Sequence, residues 1–153
     1  MIVVMAVIGL LVSVSLPSLT GYARQARLKA AARETIGLLS LARSMAISAR
    51  EPRTVLIDPG EGQISIEASA NEDQTHLVKL GPGIEVTVEI QGQGGQAEGA
   101  AELTFQPSGA LAGRSVTVTL SNGDHSQTIT VTATTGSILV GSRKGLDECR
   151  LPC

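Results

Sequence analysis

Aromatic side chains are nearly absent: the 153-residue chain has no tryptophan, one tyrosine (Tyr22) and one phenylalanine (Phe105). A module that stacks nucleobases needs several such rings on one face, so that class of function has little to build with. The core must instead be aliphatic, made of Val, Ile, Leu and Ala. Histidine is equally scarce, with only His76 and His125. Neither has a second ligand at metal-binding spacing or a marked nucleophile beside it, and both read as polar surface positions.

Cysteine occurs twice, at Cys149 and Cys153 in the terminal "CRLPC". Two thiolates with no nearby histidine fall short of the four ligands of a structural zinc site. The pair either closes a small disulfide loop, which would place the domain in an oxidising compartment, or remains two free thiols in a frayed tail. Asp147 and Glu148 beside it are too few for the oxygen cage of a calcium ion. No G-x-S-x-G, H-E-x-x-H, P-loop or dinucleotide fingerprint is present. "GQGGQAEG" is rich in glycine but lacks the strand–turn–helix setting that aims amides at phosphate. No cofactor and no enzymatic activity are expected. The net charge of −2 gives no whole-molecule attraction to nucleic acid or anionic lipid.

The chain also lacks any charged side chain ahead of Arg24. From Met1 to Leu16 only Gly9, Ser13 and Ser15 interrupt the apolar residues, close to the roughly 20 needed to cross a bilayer core. A cleaved signal peptide would show a basic start, a shorter apolar run and a small-residue cleavage site, and none of these is found. A retained helix follows, its apolar surface carried by Ile2, Val3, Val4, Val7, Ile8, Leu10, Leu11, Val14 and Leu16, with Pro17 at its end. Pro17 removes a hydrogen bond and crowds the preceding turn, so a bend or a locally melted turn is expected between Val14 and Pro17.

Beyond the proline, Leu28, Ala31, Thr35, Leu38, Ala42, Met45 and Ala49 recur at spacings of three and four, one face of a helix. Arg24, Arg27, Lys29, Arg33, Glu34 and Arg43 fall largely elsewhere, and Pro52 marks the end. One rod can therefore run from Ile2 to about Arg50, roughly 70 Å at 1.5 Å per residue. After Pro52 the period changes to two and β-branched residues dominate. Strands are expected at Thr54–Ile57, Gln63–Ala68, His76–Leu80, Ile84–Ile90, Ala101–Phe105, Arg114–Ser121, Gln127–Thr132 and Ser137–Val140. "VTVTLSNGDHSQTITVT" is the clearest hairpin, with Asn122 and Gly123 in its turn and His125 at its tip. Gln91–Gly99 has nothing to bury and reads as a mobile loop. The expected fold class is α+β: a long N-terminal helix whose second half lies on an antiparallel β-sheet. Residues 1–23 form the membrane-spanning half of that helix, 24–51 its amphipathic half, and 52–153 the β domain.

An apolar start, a proline after about sixteen residues, an amphipathic continuation and a small sheet together resemble the type IV pilin superfamily. "MIVVMAVIGLLVSVSLPS" looks like the membrane-spanning part of the prepilin signature. "LLSLARSMAISAREPRTVLI", "LTFQPSGAL" and "VTVTLSNGDHSQTITVTATTGSILV" resemble the minor pseudopilins of the GspH/FimT family. Members of the family begin with a short basic leader ending in Gly, cut before an aromatic residue and followed by a Thr-Leu-Ile-Glu-like stretch. Met1 stands where that stretch would already have ended, so either the recorded start is too late or the chain was shortened. The processed, methylated N-terminus and the assembly glutamate fall on no residue of this sequence.

The resemblance implies a single-pass subunit of the bacterial inner membrane with its C-terminal domain in the periplasm. Its partners would be other pilin or pseudopilin subunits, inner-membrane lipid and secreted cargo. A minor pseudopilin that starts or caps a type II secretion pseudopilus is the first expectation. The alternative is a type IV minor pilin of the FimT/FimU kind, acting in pilus assembly or DNA uptake. For DNA uptake, members carry a Gly-Arg-x-Arg-like motif near the C-terminus; "GSRK" offers Arg143 and Lys144 as candidate DNA contacts, with Ser142 where the first Arg would stand. A membrane-anchored periplasmic binding domain unrelated to filaments is the remaining alternative, and it would need a converging polar pocket.

Overall fold

The computed structural model describes residues 2–67, 76–92 and 99–144, with backbone alone for 2–20 and 142–144. The expected mobile loop at Gln91–Gly99 therefore lies mostly outside the described residues, as do Cys149 and Cys153.

Among the described residues a single helix, α1, runs from Ile2 to Ala49 and is followed by eight strands: β1 (Arg53–Asp58), β2 (Gln63–Ile66), β3 (His76–Lys79), β4 (Glu85–Ile90), β5 (Ala101–Phe105), β6 (Val116–Ser121), β7 (His125–Val131) and β8 (Ile138–Lys144). Pro17 does not melt the helix: the backbone is helical throughout Ile2–Ala49. One missing hydrogen bond is borne by the intact turns on either side. The helix ends where Arg50 takes a left-handed φ of 56°, and Pro52 cannot continue it. Left-handed backbone costs a residue with a Cβ about 1 kcal/mol relative to glycine. Since Arg50 is exposed, Arg50→Gly should raise the stability of the folded domain by about that amount, measurable as an upward shift of the urea midpoint with unchanged slope.

The strands form two antiparallel four-stranded sheets, ordered β3-β2-β1-β5 and β4-β6-β7-β8. The period-two reading located every strand, but it records which face of a strand is buried and not which strand lies beside it. The chain moves to the second sheet at β4, returns to the first at β5 and leaves it again at β6. β1 sits centrally, with Val55 opposite Ile66 on one side and Leu103 on the other. In the second sheet Val118 stands between Val88 and Ile129.

Both sheets turn their buried rows into one hydrophobic core shared with α1. Val55, Ile57, Ile64, Ile66, Leu103 and Phe105 come from the first, and Val86, Val88, Val118, Leu120, Ile129 and Val131 from the second. Phe105, the chain's single phenylalanine, is fully buried and links to Leu111 across an isolated bridge. With so few rings, close aliphatic packing must supply nearly all of the apolar burial that stabilises the domain. Two turns are closed by side chains. Asp58 accepts from the amides of Gly60 (2.8 Å) and Glu61 (3.1 Å), and Asn122 Oδ1 accepts from the His125 amide at 3.0 Å. His125 thus opens β7, leaving Asn122–Asp124 as the hairpin turn.

Candidate assembly surface

The second half of α1 buries Leu28, Ala31, Ala32, Thr35, Leu38, Leu39, Ala42 and Ala46 against the sheets. Met45 is half-buried and Ala49 exposed, because the helix passes the edge of the sheets in its last turn. Thr35 is the one polar member, and its hydroxyl donates to the Ala31 carbonyl at 2.9 Å. The opposite face is open. At 100° per residue, Ala23, Ala26, Ala30, Gly37, Leu41, Ser44 and Ser48 line up along it, and all are exposed. Arg27, Lys29, Arg33 and Glu34 flank this strip without occupying it. A Cβ placed on Gly37 would meet nothing within 4 Å, so the chain's own fold makes no use of a residue that costs a helix interior about 1 kcal/mol. This outward strip was missed in reading the sequence, although its spacing is present there, because a search for large apolar residues passes over Ala, Gly and Ser.

The end of α1 is fastened to both sheets by one side chain. Arg43 Nε donates to the Gly109 carbonyl at 3.0 Å, and Arg43 Nη2 donates to the Thr135 carbonyl at 2.9 Å. Gly109 lies in the turn after β5, Thr135 in the turn between β7 and β8. Beside this fastening, Ser40, Arg43, Ser44 and Ile47 of the helix face Ser137 and Ile138 across a groove of about 380 Å³. Leu139 and Val140, on edge strand β8, are more than half exposed.

The other end of the domain, where the helix enters from its apolar half, is basic. Asn122 Nδ2 donates to the Arg24 carbonyl at 3.2 Å, fixing the β6–β7 turn against the helix. Arg24 Nη1 lies 3.7 Å from Asp124 Oδ2, with both side chains exposed. The β7–β8 register sets Arg143 opposite Ser126 and Lys144 opposite His125. The candidate DNA contacts Arg143 and Lys144 therefore fall next to this same turn, a grouping that the sequence, which holds them far from Arg24, does not announce. Ile2, Val3, Val4, Val7, Ile8, Leu10, Leu11, Val14, Leu16 and Pro17 all lie on α1, as backbone alone. Among the residues whose side chains are described, no helix is long and apolar enough to cross a membrane; the apolar run precedes them. Among the described residues no three His, Cys, Asp or Glu side chains come together as a metal site would require.

A long N-terminal helix laid on antiparallel sheets by its second half is the fold of a pilin-type subunit. The sequence pattern of the family described as Type II transport protein GspH matches residues 31–136, and the chain belongs to that family. Its fold is similar to that of the type IV minor pilin FimU of Pseudomonas aeruginosa, with a TM-score of 0.60 and 20% identity over 78% of this chain and 92% of that one. It is likewise similar to the minor pseudopilin EpsH of the Vibrio cholerae type II secretion system, with a TM-score of 0.59 and 17% identity over 79% of this chain and 97% of that one. No curated protein matches it in sequence. Family and fold together make the chain a minor pseudopilin or minor pilin, a structural subunit and not an enzyme. Its partners include other subunits of the pilin type, in an assembly that rises from the inner membrane.

Proposed function

We propose that the chain is a minor pseudopilin of a type II secretion pseudopilus, acting at its initiation or tip. Before assembly, residues 1–23 anchor it in the inner membrane and the β domain stands in the periplasm. On assembly the same apolar surface leaves lipid for the helices of neighbouring subunits. A helix apolar on all sides suits both, because lipid and a helix bundle are both apolar surroundings.

The observation that carries this reading is Gly37, exposed in mid-helix with open space at its Cβ position and in line with Ala23, Ala26, Ala30 and Ser44. Small residues on an unoccupied helix face let a second backbone approach closely. The match to a family described as a type II transport protein supports the secretion reading. Deleting the gene tests the assignment. Secretion of folded exoproteins should stop while surface pili persist, and the full-length gene supplied in trans should restore it. Loss of pili with secretion intact would transfer the chain to the minor-pilin reading.

A further inference from the structure

The end of the domain nearest the apolar half of α1 holds a pocket of about 230 Å³ lined by Arg24, Arg27, Pro82, Gly83, Ile84 and Asn122. No carboxylate is among the lining residues. Asn122 is committed to the Arg24 carbonyl and the His125 amide, so it shapes the wall, and the two guanidinium groups supply the charge. Arg27 makes no ion pair among the described residues, and Arg24 makes a long, exposed one to Asp124. The register adds Arg143 and Lys144 beside the same turn. The acidic positions at this end include Asp124, Glu85, opposite Ser121 in the neighbouring strand, and Glu61, which with Glu85 lines the adjoining recess that shares Pro82, Gly83 and Ile84. The pocket's own lining remains basic, with two arginines and no carboxylate.

We propose that this pocket binds the phosphodiester headgroup of an anionic phospholipid, holding the β domain against the membrane before the subunit is extracted. The inference rests on reading the first half of α1 as a membrane span. α1 is one continuous helix, so the position of Arg24 and Arg27 relative to the apolar run is fixed by the rise of about 1.5 Å per residue. With residues 1–23 as the span, they follow it directly and stand at headgroup depth. Tyr22, 75% exposed, precedes them by half a turn, where an amphipathic ring favours the interface. Guanidinium matches phosphate in a two-pronged geometry. Duplex DNA engages an extended row of basic residues, whereas this pocket offers two, both on the stretch of α1 that follows the apolar run. Extraction into a filament removes the lipid, so the contact opposes assembly until the subunit is engaged.

Native mass spectrometry of the full chain in detergent micelles, supplemented with phosphatidylglycerol or phosphatidylcholine, tests the proposal. One phosphatidylglycerol should be retained per chain in clear preference to phosphatidylcholine. The double variant Arg24→Gln/Arg27→Gln should lose that preference by about 30-fold at low salt, on the basis of about fivefold per basic residue near an anionic surface. Both positions are exposed, and circular dichroism should show the fold unchanged. Equal retention of the two lipids, or a preference that survives the double substitution, overturns the headgroup site. So does displacement of the lipid by millimolar inorganic phosphate, which would mark a site for the free anion. A gel shift with duplex DNA that the same substitutions abolish, without any lipid preference, overturns it in favour of nucleic acid. Flotation with vesicles separates the two levels of the argument. A chain that inserts but shows no lipid preference sinks the headgroup site alone; one that does not insert sinks it together with the anchor.

Discussion

Gly136→Ala is expected to remove a large share of the stability of the β domain. Gly136 is buried, has a left-handed φ of 60°, and donates its amide to the Thr132 carbonyl at 2.8 Å. A Cβ built there overlaps the carbonyl oxygen of Gly109, lies 3.0 Å from its carbonyl carbon and comes within 3.2 Å of Arg43 Nε. The obstruction is backbone and cannot swing aside as a side chain would. Relief requires the turn after β5 to move, and that turn is held by Arg43 and by the Gly109 amide bonded to Gln106. Left-handed strain, overlap and the loss of the Arg43 bonds together should cost at least about 4 kcal/mol, at the severe end for a single substitution. Against a total of about 5–15 kcal/mol this removes between about a quarter and four fifths of the stability and should lower the melting temperature by about 10 °C or more. Circular dichroism and limited proteolysis should show it, and a variant that melts within a few degrees of the parent would refute the contact.

This contact also marks how far the sequence could be read. The buried face of α1 was legible because Leu28, Ala31, Thr35, Leu38 and Ala42 repeat at helical spacing, and all five are buried. The strands were legible because Val, Ile and Thr alternate: β1 and β6 bury every second residue from end to end. Local signals of this kind require only that a segment know its own period. Pairing requires knowledge of partners, so the division into two sheets was not visible. Neither was the convergence of Gly109, Gly136 and Arg43, three residues separated by long stretches of chain. Each of the two turns is rich in turn-forming residues, "QPSG" and "TTG", yet nothing local says that they touch back to back.

The site divides along the same line. Each basic stretch, Arg24 to Arg33 and Arg143–Lys144, stands out in the sequence. Their meeting depends on the β6–β7 turn being bonded to the helix and on the β7–β8 register. The outward strip on α1 failed to register for a different reason. Apart from Leu41, its residues carry little chemistry of their own, and their information lies in what is missing: side-chain volume. Only when the opposite face of the helix is known to be buried does a run of Ala, Gly and Ser on the exposed face become a statement about something else that must fit there.

That statement yields the second large effect. Gly37→Leu should stabilise the isolated subunit and abolish its function. In the subunit the new side chain projects into open space, and replacing glycine by leucine in a helix interior gains about 0.8 kcal/mol. The melting temperature should rise by about 2–4 °C, as expected for a change of that size in a domain of this length. In the assembled filament the same side chain would stand between two helices packed through small residues, where there is no volume to receive it. Overpacking of this kind costs about 1–3 kcal/mol per contact. That penalty acts at an interface which must form against the competing stability of the subunit in lipid. Supplied in trans to the deletion strain, the Gly37→Leu allele should accumulate to parental levels and fail to restore secretion. Gly37→Ala, which adds stability with little bulk, should restore most of it. Opposite signs for stability and function at one position are what an interface residue produces and a core residue does not. Full complementation by the leucine variant would show that no neighbour packs on this face, and the outward strip would then be no more than the solvated side of a helix.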